Sequence, residues 1–378
     1  MNKFIFTFLL FLTVTIFFGQ SYQESNLNEE NLNIKNNTTR IDEGKSFENK
    51  NIPIFQNTMS KVASLPSEEI KNELKSENSK IVQTLDIDHF WEAFDSLKTS
   101  KTHADSVHAF QTIYLDRATA GLLDFIRLRQ LTAEEFVNAV ARFPKFYNSV
   151  RLNTYKVHKA VPLVEEIVTK FKEIYPNFKP KKVCFAIGLV NTGGTVSEDF
   201  LLIGAEVATS TSDIDLSEFD NSAYSKMLAS ESDIVLKIKN IVAHEYVHTQ
   251  QKTTPDKNAV DCNLLYKCLQ EGFCDFIGEL ISGSQINIVA HEYGNQHEKE
   301  LWQAFKDELC NSSTKNWLYN YSTVKGKPAD LGYYIGYKIA EEYYKNAVDK
   351  MQAVTDIIEM DDPIRFLQLS KYDQKEKK

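Results

Sequence analysis

His244-Glu245-Tyr246-Val247-His248 sets two imidazoles four positions apart with an acid between them. On a helix, four residues turn the chain by about 400°, so His244 and His248 stand one turn apart on one face. Ring nitrogens so placed can each approach one Zn²⁺ to about 2.0–2.1 Å. Glu245 is rotated by about 100° from His244. It misses the metal but can reach a water bound to it, the arrangement that metal-assisted hydrolysis needs. A catalytic zinc keeps three protein ligands and one open position. The third candidate is Glu271, 23 positions after His248, in Gln270-Glu271-Gly272-Phe273-Cys274-Asp275-Phe276. Asp275 lies four after Glu271 and shares its face, where it can accept the second ring N–H of a ligating histidine and fix its tautomer.

Two helices must position these groups. Ser230-Glu231-Ser232-Asp233 supplies a capping hydroxyl and first-turn acids for the histidine helix, and Ile234, Ile238, Ile241 and Val242 give it a core face. Pro255 ends it soon after Gln251. Asn263 is a plausible N-cap for the second helix, which runs to about Ser282 and stops at Gly283. Gly272 and Gly278 cost that helix about 1 kcal/mol each; close approach of the two helices accounts for them, and so does simple tolerance. Ala290-His291-Glu292-Tyr293 echoes the first motif, but no histidine follows four positions after His291.

Around these helices the pattern is mixed. Residues 182–189 and 200–207 read as two strands about a Gly193-Gly194-Thr195 turn, which predicts a small antiparallel sheet. Its edge could pair with an extended peptide, or the sheet could merely cover the helices. Asp213, Asp215, Glu218 and Asp220 lack the full calcium-loop pattern and read as a solvated loop. Further upstream, 102–115, 118–128 and 132–141 are amphipathic helices, with a capping box opening at Thr132. Another helix is predicted over 162–175, with Pro162 in its first turn. Downstream, Asp330-Leu331-Gly332-Tyr333-Tyr334-Ile335-Gly336-Tyr337 opens a helix whose Gly332 and Gly336 form a small-residue face. Tyrosines there are either core aromatics or donors to an oxyanion.

The formal net charge of the 378-residue chain is −9 and its pI is near 5.5. No basic stripe is present, which argues against nucleic-acid binding. Lys3, the apolar run 4–18 and Gly19-Gln20-Ser21 read as a signal peptide over 1–21, too short for a comfortable membrane span. An uncleaved anchor is the alternative. Residues 22–85 are rich in Asn, Glu, Ser and Lys and read as a low-complexity, disordered leader. The catalytic domain is expected over 86–370, with a helical part 86–176 and a sheet and zinc-site part 177–350. Of the five cysteines, Cys262, Cys268 and Cys274 step by six. On one helix they point in three directions, so they cannot share a metal and read as small buried residues; one disulfide remains possible in an oxidising compartment.

His-Glu-x-x-His followed by Glu-x-x-x-Asp resembles the gluzincin metallopeptidases. With Gly193-Gly194-Thr195, Ile203-Gly204-Ala205-Glu206, Glu271 to Leu280 and Gly332 to Tyr337, the chain resembles a family of predicted zinc-dependent proteases related to the gliding-motility lipoprotein B type. The resemblance covers roughly 150–350. It implies an α+β, mainly α, zincin-like fold, with His244, His248 and Glu271 as zinc ligands, Glu245 as general base and Tyr333 as oxyanion donor. The gliding-motility relatives carry a lipid-anchor cysteine that this chain lacks. The function expected is an exported zinc peptidase, periplasmic or secreted, acting on a peptide or protein substrate with no stable membrane span after signal cleavage. The alternative is a non-catalytic envelope protein that retains the zinc site, acting in gliding motility or as an interaction module.

Overall fold

Asp233 starts the histidine helix: its carboxylate accepts the N–H of Leu236 at 3.0 Å and supplies one of the partners that a helix start lacks. The computed structural model describes residues 67–219, 223–252, 261–321 and 323–377; the apolar run 4–18, most of the leader, Asp220 and Pro255 lie outside them. The described chain is mainly helical with one four-stranded sheet. Its helices are α1 (Glu68–Ser79), α2 (Leu85–Ser96), α3 (His103–Ala109), α4 (Ala120–Arg129), α5 (Ala133–Arg142), α6 (Pro144–Thr154), α7 (Val157–Ile174), α8 (Ala205–Ala208), α9 (Ala223–Leu228) and α10 (Ile234–His248). They continue with α11 (Asn263–Ser282), α12 (Ile288–Glu308), α13 (Leu331–Asn346), α14 (Lys350–Ile358) and α15 (Pro363–Ser370). Among the described residues no helix is long and apolar enough to cross a membrane.

The sheet corrects the antiparallel expectation. Strands β1 (Val82–Gln83), β2 (Lys182–Ala186), β3 (Gly194–Val196) and β4 (Phe200–Gly204) lie in the order β1-β2-β4-β3. Both β1/β2 and β2/β4 are parallel, and only β3/β4 is antiparallel. Every residue of β4 is buried, as is all of β2 but Lys182, with α2 and α4 packed on β2 and α4 and α8 on β4. Gly193-Gly194-Thr195 is therefore not a turn between paired neighbours but the start of the edge strand. The apolar run through Val207 leaves strand geometry at Gly204 and becomes the short helix α8.

Other boundaries move as well. Residues 68–85 fold as α1, β1 and the first residue of α2, so this part of the expected leader is structured. Helix α7 begins at Val157 with Pro162 inside it, because the chain turns straight on from α6 and buries Val157 and Ala160. The capping box at Thr132 and Glu135 forms as expected, and Gly283 ends α11 with φ +69°. Asn263 is the first residue of α11, with Cys262 at the cap position. Cys262 forms a disulfide with Cys310, joining the start of α11 to the end of α12; Cys184, Cys268 and Cys274 are buried free thiols. In the acidic loop, the Glu218 carboxylate accepts the N–H groups of Lys145 and Phe146 at 2.9 Å and so caps α6.

One continuous apolar core runs from Val82 to Tyr372. Within it α10 is held from two sides. The Tyr246 hydroxyl donates to the Lys181 carbonyl and accepts the Lys181 N–H at 2.9 Å, fixing α10 to the start of β2. On the other side lies α11, where a Cβ on Gly278 would stand 3.4 Å from Ala243 and His244 backbone atoms. Gly272 faces α13 instead: a Cβ there would stand 2.2 Å from the Tyr337 nitrogen. Gly336 faces back, its hypothetical Cβ 1.9 Å from the Cys268 carbonyl oxygen. The expected small-residue face on α13 thus packs against the glutamate helix, backbone to backbone. Gly272→Ala should destabilise the fold by roughly 1–3 kcal/mol, towards the upper end because the obstacle is main chain. Urea unfolding of the two proteins measures this; equal midpoints would refute the packing.

Candidate metal centre

Helix periodicity brings His244 and His248 to one face of α10, and α11 crosses that face with Glu271 level with them. The three inner atoms form a near-equilateral triangle: His244 Nε2 to His248 Nε2 3.2 Å, His244 Nε2 to Glu271 Oε2 3.4 Å, and His248 Nε2 to Glu271 Oε2 3.3 Å. Donors about 2.0–2.1 Å from a tetrahedral ion are about 3.3–3.4 Å apart, so the triangle has the dimensions of one face of a zinc tetrahedron. Glu271 Oε2 is buried with only the two imidazole nitrogens facing it, and Glu245 Oε2 is buried without a hydrogen-bond partner. Orphaned buried carboxylate oxygens are costly unless a cation or water satisfies them. The donor set therefore fits a divalent ion.

Each inner residue is aimed by an outer one. Asp275 Oδ1 lies 2.7 Å from His244 Nδ1, and its other oxygen accepts from the Asn287 amide at 2.6 Å. Gln251 Oε1 lies 2.9 Å from His248 Nδ1, and the Gln251 amide donates to the Gln270 carbonyl at 2.9 Å. With Nδ1–H donated outward, each ring keeps its Nε2 lone pair for the centre. The Tyr319 hydroxyl donates to Glu271 Oε1 at 2.7 Å, leaving Oε2 to face the histidines. Sequence reasoning found Asp275 but missed Gln251 and Tyr319. Gln251 stands three past His248, close enough to fold back on it, and that spacing was the available signal. Tyr319 has none: it sits in a loop with φ +56°, a left-handed conformation that a tyrosine gives no sign of adopting.

Without a cation the electrostatics are those of a buried acid among bases. Burial lowers the His244 pKa, but the Asp275 and Glu271 carboxylates outweigh it and hold the ring well above its usual value. Burial raises the Glu271 carboxyl, but the His248 charge and the two imidazole contacts hold it well below the usual range. Burial raises the Tyr319 hydroxyl, with the Glu271 charge adding to it, so Tyr319 stays a donor. Asp275→Asn should weaken zinc affinity by about 10–100-fold, the usual cost of losing an outer partner; competition with a chromophoric chelator measures it, and unchanged affinity would refute the role.

Tyr333, in the first turn of α13, lies over His244 with ring centroids 5.8 Å apart and planes 27° apart. Burial and the Glu271 charge raise its hydroxyl well above the usual value, so it too stays protonated. Cys274 is a second donor close by, its sulfur within 4.8 Å of ring nitrogens of His244 and His248. Burial and the Glu271 charge raise its thiol well above the usual value. Glu271 Oε2, ionised and 3.3–3.4 Å from both ring nitrogens, has the spacing a third donor needs. His291, from the motif's echo, is buried against Tyr334 and Tyr337 and stands apart from this donor set.

The edge strand β3 borders the centre. A Cβ on Gly194 would stand 3.1–3.3 Å from the Glu245 side chain, so a larger residue there would press the Glu245 side chain aside by a few tenths of an ångström. The Gly204 N–H bonds to the Gly193 carbonyl and the Ser197 N–H to the Phe200 carbonyl. By antiparallel alternation, the N–H and C=O of Gly194 and Val196 point to the free edge.

Residues 220–361 match the model of a family described as "Predicted Zn-dependent protease (DUF2268)". The matched stretch holds His244, Glu245, His248, Glu271, Asp275 and Tyr333, while the sheet lies outside it. No curated protein and no solved structure matches the chain.

Proposed function

We propose that the chain is an exported zinc-dependent peptidase with a zincin-like catalytic centre, in which His244, His248 and Glu271 hold the metal and Glu245 is the general base. The observation that carries this reading is the 3.2–3.4 Å triangle of inner donors, with Glu245 Oε2 buried and unpartnered on the same helix. The family match supports the coarser part of it, a zinc protease. Zinc bound there would acidify a water and polarise a substrate carbonyl. Glu245 takes the proton from the attacking water and returns it to the leaving amine. Tyr333 keeps its proton and donates to the carbonyl oxygen as negative charge develops on it. Asp275 and Gln251 hold both imidazoles in the ligating tautomer, and Tyr319 holds Glu271. An extended peptide pairs with the outward N–H and C=O groups of Gly194 and Val196, which sets its scissile bond beside Glu245. Export is supported by the N-terminal apolar run and by the Cys262–Cys310 disulfide, which suits an oxidising compartment.

The test is a peptide-library digest by the chain lacking residues 1–21, run with zinc, with chelator, and with zinc restored. Cleavage that disappears and returns with the metal is the expected result. A zinc-loaded protein that cleaves nothing supports the non-catalytic envelope reading instead.

A further inference from the structure

We propose that Glu206 is a positioning residue: it locks the strained segment 188–190 and through it holds the edge strand β3 against Glu245. The inference rests on the reading above that β3 receives the substrate.

Glu206 lies in the first turn of α8, fully buried. Its two oxygens accept the N–H groups of Gly188 at 2.9 Å and Val190 at 3.0 Å, both from the chain leaving β2. Val190 has φ +57°. For a β-branched residue that conformation costs on the order of 1–3 kcal/mol and persists only where its surroundings enforce it. The enforcement comes from three elements. Besides Glu206, the Tyr147 hydroxyl of α6 donates to the Gly188 carbonyl at 3.0 Å, and the Tyr114 hydroxyl, beyond α3, donates to the Ile187 carbonyl at 2.7 Å. The segment then returns over the end of β4, where a Cβ on Gly204 would stand 2.1 Å from the Thr192 carbonyl oxygen. Two residues later it reaches Gly194 and the Glu245 side chain. A displacement at Val190 therefore shifts the strand that borders the base.

A carboxylate is a costly choice for this position. Burial pushes the Glu206 carboxyl up to about 7, the mark of a charge held out of water. What an apolar side chain cannot do is accept two N–H groups from a strained turn at once. Strain held by buried polar groups beside a reactive centre is the pattern of a preorganised site.

The test compares the wild type with Glu206→Gln, Val190→Gly and the double variant at pH 8, where the wild-type carboxyl is ionised. In Glu206→Gln one of the two N–H groups faces an amide NH₂. Amide hydrogen exchange of the peptides covering 188–197 should quicken at least tenfold relative to α10 and α11, with zinc content unchanged. On a peptide substrate kcat/KM should fall about tenfold, mainly through KM, because the strand holds ground state and transition state alike. Val190→Gly relieves the strain, since glycine adopts positive φ freely, while also emptying the space of a buried isopropyl group, so measured against Val190→Gly alone the added effect of Glu206→Gln on exchange and KM should shrink. Should Glu206→Gln fail to fold, Tyr147→Phe removes one grip on the same segment and should quicken the same exchange. Exchange over 188–197 and KM equal to wild type, or a loss spread evenly over the fold and undiminished in the Val190→Gly background, overturns the proposal. If the wild type cleaves no peptide, the exchange results on the single and double variants still decide the lock, and the peptidase reading alone fails.

Discussion

Glu245→Gln keeps its zinc and lowers kcat on a peptide substrate by roughly 10²–10⁴-fold, the range a positioned general base supplies. The substitution keeps the shape of a side chain packed against Gly194. It removes only the lone-pair basicity of a carboxylate whose Oε2 is buried and unpartnered. The inner donors His244, His248 and Glu271 are untouched, so the metal stays. Zinc content and initial rates measured on one preparation check both halves. A zinc-replete Glu245→Gln protein with undiminished kcat places the base elsewhere.

Glu271→Ala should have the largest effect on the metal. It removes one of three inner donors and leaves two imidazoles that share no carboxylate, so affinity falls by more than the about 10–100-fold of an outer-partner loss. It also uncouples stability from zinc. A metal that binds only the folded chain stabilises it by about 2.7 kcal/mol at a concentration 100 times its Kd. Wild-type unfolding should shift by that amount on adding zinc and shift back with chelator, while Glu271→Ala should stay flat across the same range. A parallel response in both proteins would remove Glu271 from the donor set.

The donor set was legible because its geometry is local. Helical periodicity alone puts His244 over His248 and Glu271 over Asp275, and Gly283 marks the end of α11, whereas α10 is capped by the Asp233 carboxylate and not by the expected hydroxyl. Only the register between α10 and α11 had to come from the fold. The sheet was misread for a physical reason. Adjacent apolar runs suggested a hairpin, yet Val183-Cys184-Phe185-Ala186 and Phe200-Leu201-Leu202-Ile203 show no alternation, which is how parallel strands buried on both faces look. Strand β1 has two residues and pairs with a partner about a hundred positions away, too short a segment to carry a pattern. Pro162 misled in the same way, because tertiary burial of Val157 and Ala160 overrode a local preference. Tyr319 reaches Glu271 through a left-handed backbone in a loop, and no residue pattern announces such a turn for a tyrosine.

Two imidazoles and one distant carboxylate should bind a single zinc and leave a position open. X-ray absorption at the zinc edge, on protein loaded with one equivalent, tests it most directly. One tightly bound zinc per chain is expected, in a shell of nitrogen and oxygen at about 2.0–2.1 Å, with imidazole scattering from two rings. A chain that takes up no zinc would contradict it, and so would a sulfur neighbour at about 2.3 Å, which would make Cys274 the third ligand in place of Glu271.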